Sequence, residues 1–282
     1  MPENTPGKTI VSNQPPNVDH PFSVLGLPIH LLDDYPGWLV DRLYQRQGCH
    51  VVTLNAEMTM QAEHNPPLAE IIHRAELVIP DGAGVVLYLR LHGKRVTRCP
   101  GIELSEALLA RSAQANLDFL TLTPASEPWS IFFCGGAPGV AEQAAAVLQN
   151  QLPGLKFAGT QHGFLSVENE PMFLEKLRSL QPRIIFVGLG VPRQELWIAK
   201  HRHLCPDAIW VGVGGSFDIW AGSKTRAPAW LANNHLEWLY RLYQEPWRWR
   251  RMLALPKFAW RAIVYRVTQK NPVRQETRAM NL

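Results

Sequence analysis

The chain has 282 residues, 46% hydrophobic and 18% charged, with a formal net charge of +4. That balance excludes a wholly disordered chain, and the length supports a core that needs no disulfide or metal staple. Asp81 and Arg90 interrupt the richest apolar stretch, around Val78 to Leu91, so no membrane-spanning helix is expected.

Residues 1–20 are rich in Pro and Asn, have no period and lack an apolar signal core; they read as a disordered leader on a cytoplasmic protein. From 21 to 223, short apolar runs alternate with helix-like segments. Cys49–Asn55 is a β-branched run, followed by helical sequence over Ala56–Ala75. Glu76–Asp81 reads as the next strand and runs into Gly82-Ala83-Gly84. Leu120–Trp129 reads as a long loop. Ser130–Gly136 then leads through Pro138 into an Ala-rich helix, Arg183–Gly188 leads through Pro192 into a helix with Trp197, and Ala208–Gly215 is the last clear strand. This alternation predicts an α/β fold: a doubly wound, mostly parallel Rossmann-like sheet covered on both faces. Cys49, Cys99, Cys134 and Cys205 lie far apart without a C-x-x-C pair and read as buried free thiols in a reducing compartment.

Residues 224–282 form a basic, aromatic-rich helical appendage. They carry 12 Lys and Arg against Glu237, Glu245 and Glu276, a charge of +9 that leaves −5 on the body. Nine of the 26 aromatic residues lie there as well. Cationic heads interleaved with Trp and Tyr suit an anionic lipid surface or a nucleic acid, and equally an amphipathic cap whose rings pack on the body. Pro246 and Pro256 interrupt this appendage.

Polar residues and glycines gather at the strand ends: Thr53 and Asn55, Asp81-Gly82, Gly135-Gly136, Gly188-Leu189-Gly190, and Gly214-Gly215 with Asp218. Ligands of doubly wound sheets sit beyond the carboxyl ends of the strands, where glycine admits a phosphate close to backbone N–H groups. Any one of these glycines could serve only a tight turn, but five such ends predict one crevice for a nucleotide-like ligand. There is no G-x-G-x-x-G after the first strand and no G-x-x-x-x-G-K-[ST], so dinucleotide and P-loop chemistry lose their main support. No D-x-D pair occurs, and no metal site is expected.

The segments Thr53-Leu54-Asn55, Pro80-Asp81-Gly82-Ala83-Gly84, Arg98-Cys99-Pro100-Gly101, Phe133-Cys134-Gly135-Gly136, Gly188 to Glu195, Gly212 to Asp218, and Leu236 to Arg241 with Glu245-Pro246 resemble the WecG/TagA/CpsF family of bacterial glycosyltransferases. Such enzymes attach a sugar from a nucleotide donor to a polyprenyl-diphosphate-linked sugar. The matching pieces run in the family's order from about residue 23 to 262. The resemblance implies an inverting transfer from a UDP-sugar, N-acetylmannosamine-like, with Asp81 as the base. The reading of Asp81 from its position alone is an N-cap of the following helix. Thr53 and Asn55 are implied to orient acceptor or donor, Arg98 to meet phosphate oxygens, and Gln194 to reach donor or diphosphate, with Glu195 setting a helix N-terminus. Gly135 and Gly136 are implied in substrate binding, Asp218 near the nucleoside, and Arg241, Arg248 and Arg251 over the leaving diphosphate; which of these, or Arg250, reaches the site stays open. The implied partners are the UDP-sugar, a polyprenyl-diphosphate-linked acceptor, an anionic membrane surface on the inner face of the cell membrane and a second copy of the chain, with no cofactor, no metal and no nucleic acid. Glu103, His162 and Asn234-His235 depart from the family's usual residues. Two other readings compete: a non-catalytic basic module binding nucleic acid or anionic lipid, and a nucleotide-dependent oxidoreductase on the same layered fold.

Overall fold

In the computed structural model, which describes residues 21–122, 127–228, 230–231 and 236–269, the chain enters through an antiparallel hairpin of β1 (Phe22–Val24) and β2 (Leu27–Ile29). The leader at 1–20, Asn234-His235 and residues 270–282 lie outside the described residues. Leu25 and Gly26 both have positive φ, 51° and 92°, the backbone of a two-residue turn whose twist matches its strands. Beyond the hairpin, His30 pairs with Val78 in both directions: its N–H donates to the Val78 oxygen at 2.9 Å, and its Nδ1 accepts from the Val78 N–H at 2.8 Å.

The hairpin leads through α1 (Tyr35–Gln45) to β3 (Cys49–Leu54), then through α2 (Ala56–Ala62) and α3 (Pro66–Arg74) to β4 (Leu77–Pro80). After α4 (Ala83–Leu91), the long α5 (Gly101–Leu122) carries the chain across the sheet to β5 (Ser130–Gly135). There follow α6 (Val140–Gln151), β6 (Lys156–Gln161), α7 (Glu170–Leu180), β7 (Ile184–Gly188), α8 (Arg193–His201), β8 (Ile209–Gly212) and the short α9 (Ser216–Trp220). The six strands from β3 onward pair in parallel in the order β4-β3-β8-β7-β5-β6. The doubly wound, Rossmann-like α/β fold expected from the sequence is the fold observed.

Its two faces are both buried, which is why the strands read as continuous apolar runs. Val51, Ile79, Ile131, Phe133, Phe186 and Val211 face one layer with Leu39, Leu108 and Trp220. On the opposite face Val52, Leu54 and Val78 pack with Leu68, Ile72 and Tyr88, while Phe132, Ile185 and Trp210 pack with Phe173 and Ile198. Cys49, Cys134 and Cys205 are buried and free as expected, whereas Cys99 is only part-buried.

Three local features depart from the sequence reading. The helical stretch Ala56–Ala75 is two helices, because the Asn65 side chain accepts from the Leu68 N–H at 3.1 Å and Pro66 takes the first position of a new helix. Strand β6, not recognised in the sequence, is a half-buried edge strand whose Lys-Phe-Ala-Gly-Thr-Gln lacks an apolar run and whose pairing with β5 slips one residue beyond Ile131. Helix α5 continues to Leu122, into the segment read as a loop.

The described part of the appendage includes α10 (Glu237–Gln244), a 3₁₀ turn at Pro246–Arg248, α11 (Trp249–Met252) and α12 (Ala254–Gln269). Pro246 starts the 3₁₀ turn, but Pro256 sits inside the first turn of α12, where its missing N–H costs no helical bond; the break falls at Leu253 instead. Phe258 is the buried anchor of α12, edge-on to Tyr88 at 6.1 Å. Arg251 and Arg261 reach Glu57 and Glu63 on the α2 side, each at 2.6 Å. Trp247, Trp249 and Trp260 stay exposed, so these rings do not serve as packing against the body.

Candidate active site

A cleft of about 270 Å³ opens above the carboxyl ends of β3, β4 and β8 and the loop after β7, and α10 and α11 form its outer wall. Its floor depends on close backbone approach. A methyl group on Gly82 would stand 2.8 Å from Cβ of Asn55, and one on Gly101 would stand 2.8 Å from Cγ2 of Thr53. Glycine is required at both places by contact.

Asp81 lies at the first residue past β4. Its Oδ1 accepts the Gly101 N–H at 2.7 Å, at the start of α5, and Oδ2 has no hydrogen-bond partner among the described residues. It is therefore not the cap of the helix that follows it: that N-cap is Gly82, without a side-chain bond. Burial raises the Asp81 pKa above the usual carboxylate range; the Gly101 N–H, Arg98 and Arg241 oppose the shift, and Glu237 reinforces it.

Arg98 ties this strand end to the appendage. Its Nε donates to the Asp81 carbonyl oxygen at 2.8 Å and its Nη2 to Glu237 at 2.6 Å. The other oxygen of Glu237 accepts from Arg241 at 2.7 Å. Burial disfavours the charged form of Glu237, but Arg241 and Arg98 outweigh it and hold its pKa below the usual range. Eight residues after Glu237, Glu245 meets Lys224 at 3.1 Å and Arg248 at 2.6 Å, and Lys224 also holds Asp218 at 2.8 Å. Arg241, Arg248 and Arg251 all line the cleft, whereas Arg250 turns its guanidinium over the Trp249 ring at 5.4 Å.

On the far wall, Gln194 is buried. Its Nε2 donates to Glu195 at 2.9 Å and its Oε1 accepts from the Gly214 N–H at 3.1 Å, so this side chain pins the glycine loop after β8. The other oxygen of Glu195 meets Nε2 of His50 at 2.6 Å, both side chains closed to solvent. Glu195 is thus a partner within the fold rather than a charge for a helix end. Thr53 donates to the Gly212 oxygen at 3.3 Å, and Asn55 uses its side-chain oxygen to cap α2 through the Met58 N–H at 3.0 Å.

Of the residues named from the sequence, the cleft brings together Thr53, Asn55, Asp81, Arg98, Gln194, Arg241, Arg248 and Arg251. Gly135, Gly136 and Asp218 are not among its lining. The reason is strand order: β7 stands between β5 and β8, so the glycines that end β5 open one strand farther along, and four strand ends rather than five converge. Asp218 reaches the cleft only through Lys224. The sequence reading assigned no role to Glu237, Glu245, Lys224 or His50. Glu237 and Arg241 stand four apart on one helix, a spacing that signals an ion pair; His50 and Glu195 are 145 residues apart, and no local pattern joins them. Among the described residues no three His, Cys, Asp or Glu side chains cluster as a metal site, and no helix is long and apolar enough to cross a membrane.

Comparison with known proteins identifies the family. The profile of the glycosyl transferase WecG/TagA/CpsF family matches residues 22–272. A protein of Bacillus spizizenii, named N-acetylglucosaminyldiphosphoundecaprenol N-acetyl-beta-D-mannosaminyltransferase, is 36% identical over 217 residues, 77% of this chain and 79% of its own. Proteins of the same name from Bacillus subtilis and Staphylococcus aureus are each 32% identical, over 76% and 75% of this chain and 79% and 78% of their own. With a profile match over most of its length and relatives above 30% identity, the chain belongs to the WecG/TagA/CpsF family of glycosyltransferases.

Proposed function

We propose that the protein is an inverting glycosyltransferase that moves an N-acetylmannosamine-like sugar from a UDP-sugar to a polyprenyl-diphosphate-linked sugar, in cell-envelope or exopolysaccharide synthesis. The observation that carries this reading is the Asp81 carboxylate: one oxygen anchored on Gly101, the other free, at the floor of a cleft lined by Arg98, Arg241, Arg248 and Arg251. The names of the three relatives support the transferred sugar and the acceptor.

In this mechanism the acceptor hydroxyl gives its proton to Oδ2 of Asp81 as its oxygen attacks the anomeric carbon of the donor. The bond from that carbon to the diphosphate oxygen breaks on the opposite side, and UDP leaves with the bonding electron pair. A carboxylate with a raised pKa is a stronger base than an ordinary aspartate, which suits the task. The developing charge on UDP is met by guanidinium groups, whose planar donors match phosphate oxygens. Gln194 contributes by fixing the Gly214 loop beside the donor rather than by touching the reacting atoms.

A second observation favours work at a membrane surface. Trp247, Trp249 and Trp260 are exposed on an appendage that also carries Arg250, Lys257, Arg261 and Arg266. Rings and cationic heads of this kind settle together at an anionic lipid interface, where a polyprenyl-linked acceptor resides. The test is a panel of UDP-sugars offered with a short-chain lipid-diphosphate-GlcNAc analogue, with product mass measured. Addition of one N-acetylhexosamine from UDP-N-acetylmannosamine is the expected result; transfer from none of the UDP-sugars overturns the reading.

A further inference from the structure

The cations that line the cleft are already partnered. Glu237 presents one oxygen to Arg98 at 2.6 Å and the other to Arg241 at 2.7 Å. Glu245 presents one to Lys224 at 3.1 Å and the other to Arg248 at 2.6 Å. Both carboxylates line the same cleft as the four cations they hold, and their side chains are only 9% and 13% exposed. Each therefore offers what a phosphoryl group offers: negative charge spread over two oxygens, aimed at two cationic donors.

We propose that Glu237 and Glu245 are internal stand-ins for a diphosphate: they hold the cleft's cations while it is empty, yield them to the diphosphate, and reclaim them as it departs. The inference rests on the transferase reading above and adds a role in ligand exchange. If these contacts only fastened the appendage, apolar side chains would serve as well, because drawing ion pairs out of water costs about as much as their attraction returns. A mouth of four unpartnered cations would also retain any anion, including the spent nucleotide. With the glutamates in place, a ligand must supply more charge than one carboxylate to displace them. After transfer, the same carboxylates compete with UDP for the arginines and hasten its release.

The sign of the effect separates this role from a structural one. Glu237→Gln and Glu245→Gln keep the side-chain shape and remove the competing charge. Calorimetric titration of the full-length protein with UDP, inorganic pyrophosphate and a short polyprenyl diphosphate is expected to show roughly three- to fivefold tighter binding in the variants, the gain shrinking as salt is raised. Tightening toward UDP supports the donor diphosphate as the ligand mimicked; tightening toward the polyprenyl diphosphate alone supports the acceptor's. Unchanged or weaker binding of every probe in both variants overturns the proposal. Circular dichroism identifies a variant that fails to fold, and the other then decides. Should wild-type protein bind none of the three probes, the transferase reading itself fails; wild-type binding without tightening in the variants defeats only the stand-in role.

Discussion

The guanidinium of Arg98 donates to the backbone oxygen of Asp81 at 2.8 Å while its outer nitrogen holds Glu237 at 2.6 Å, so a single side chain spans from the strand end to the appendage. A lysine has no planar fork and cannot make both contacts from one position. Arg98→Lys is expected to lower kcat by about 10²-fold, the scale of losing one oriented donor at a reacting site. Hydrogen exchange across α10 should quicken in the same variant; protection equal to wild type would detach Arg98 from the appendage.

The pH profile follows from the environment of Asp81. Burial raises its pKa, against the pull of the Gly101 N–H, Arg98 and Arg241, and Glu237 adds to the rise. A base must be ionised to act, so kcat/KM should climb with pH along a limb lying above the ~3.9 of a free aspartate. Glu237→Gln removes a neighbouring negative charge and should move that limb downward. An acid limb in the ordinary aspartate range in wild type, or one moved upward by Glu237→Gln, would count against Asp81 as the base.

The same shift has a consequence for stability. A carboxylate whose pKa is raised by folding stabilises the native state below its unfolded pKa and loses that contribution as pH rises through the folded value. Asp81→Asn keeps an oxygen for the Gly101 N–H and carries no charge, so its melting temperature at neutral pH should exceed that of wild type. The difference should close as pH falls to ~4, where the unfolded aspartate also takes up its proton. Lower stability of Asp81→Asn at neutral pH would contradict a carboxylate held at a cost for function.

The His50–Glu195 pair is sealed from solvent at 2.6 Å, and Glu195 also accepts from Gln194. Glu195→Ala leaves His50 and the Gln194 amide without that partner and should cost about 3 kcal/mol or more, read by urea unfolding. The donor KM should rise as the Gly214 loop loses its tether, and Glu195→Gln should recover part of both effects. A neutral effect on unfolding would show that the pair does not stabilise the fold.

The sequence made the fold legible wherever burial was two-sided. Cys49–Asn55 and Arg183–Gly188 read as strands because helices cover them above and below, leaving no polar alternation. Strand β6 was opaque for the opposite reason: a half-buried edge strand with Lys156, Gly159 and Gln161 carries no apolar run. Within the site, Asp81, Arg98 and the three tail arginines were named through the family resemblance; from position alone Asp81 reads as the cap of the helix that follows. What stayed hidden was pairing. Glu237 and Glu245 are counter-charges of Arg98, Arg241 and Arg248, and although the local spacing to Arg241 and Arg248 is visible, Arg98 and Lys224 close on them from distant positions that no local pattern joins. Gly135 and Gly136 show the converse: a strand-end glycine pair is visible in sequence, but its distance from the cleft depends on strand order, which a linear pattern does not contain.

Asp81 as the base is tested most directly by comparing sugar transfer and donor binding in Asp81→Asn. Turnover is expected to fall by about 10³-fold or more while the dissociation constant for the UDP-sugar stays within about threefold of wild type. Turnover close to wild type, or a loss matched by an equal loss of donor affinity, would contradict it.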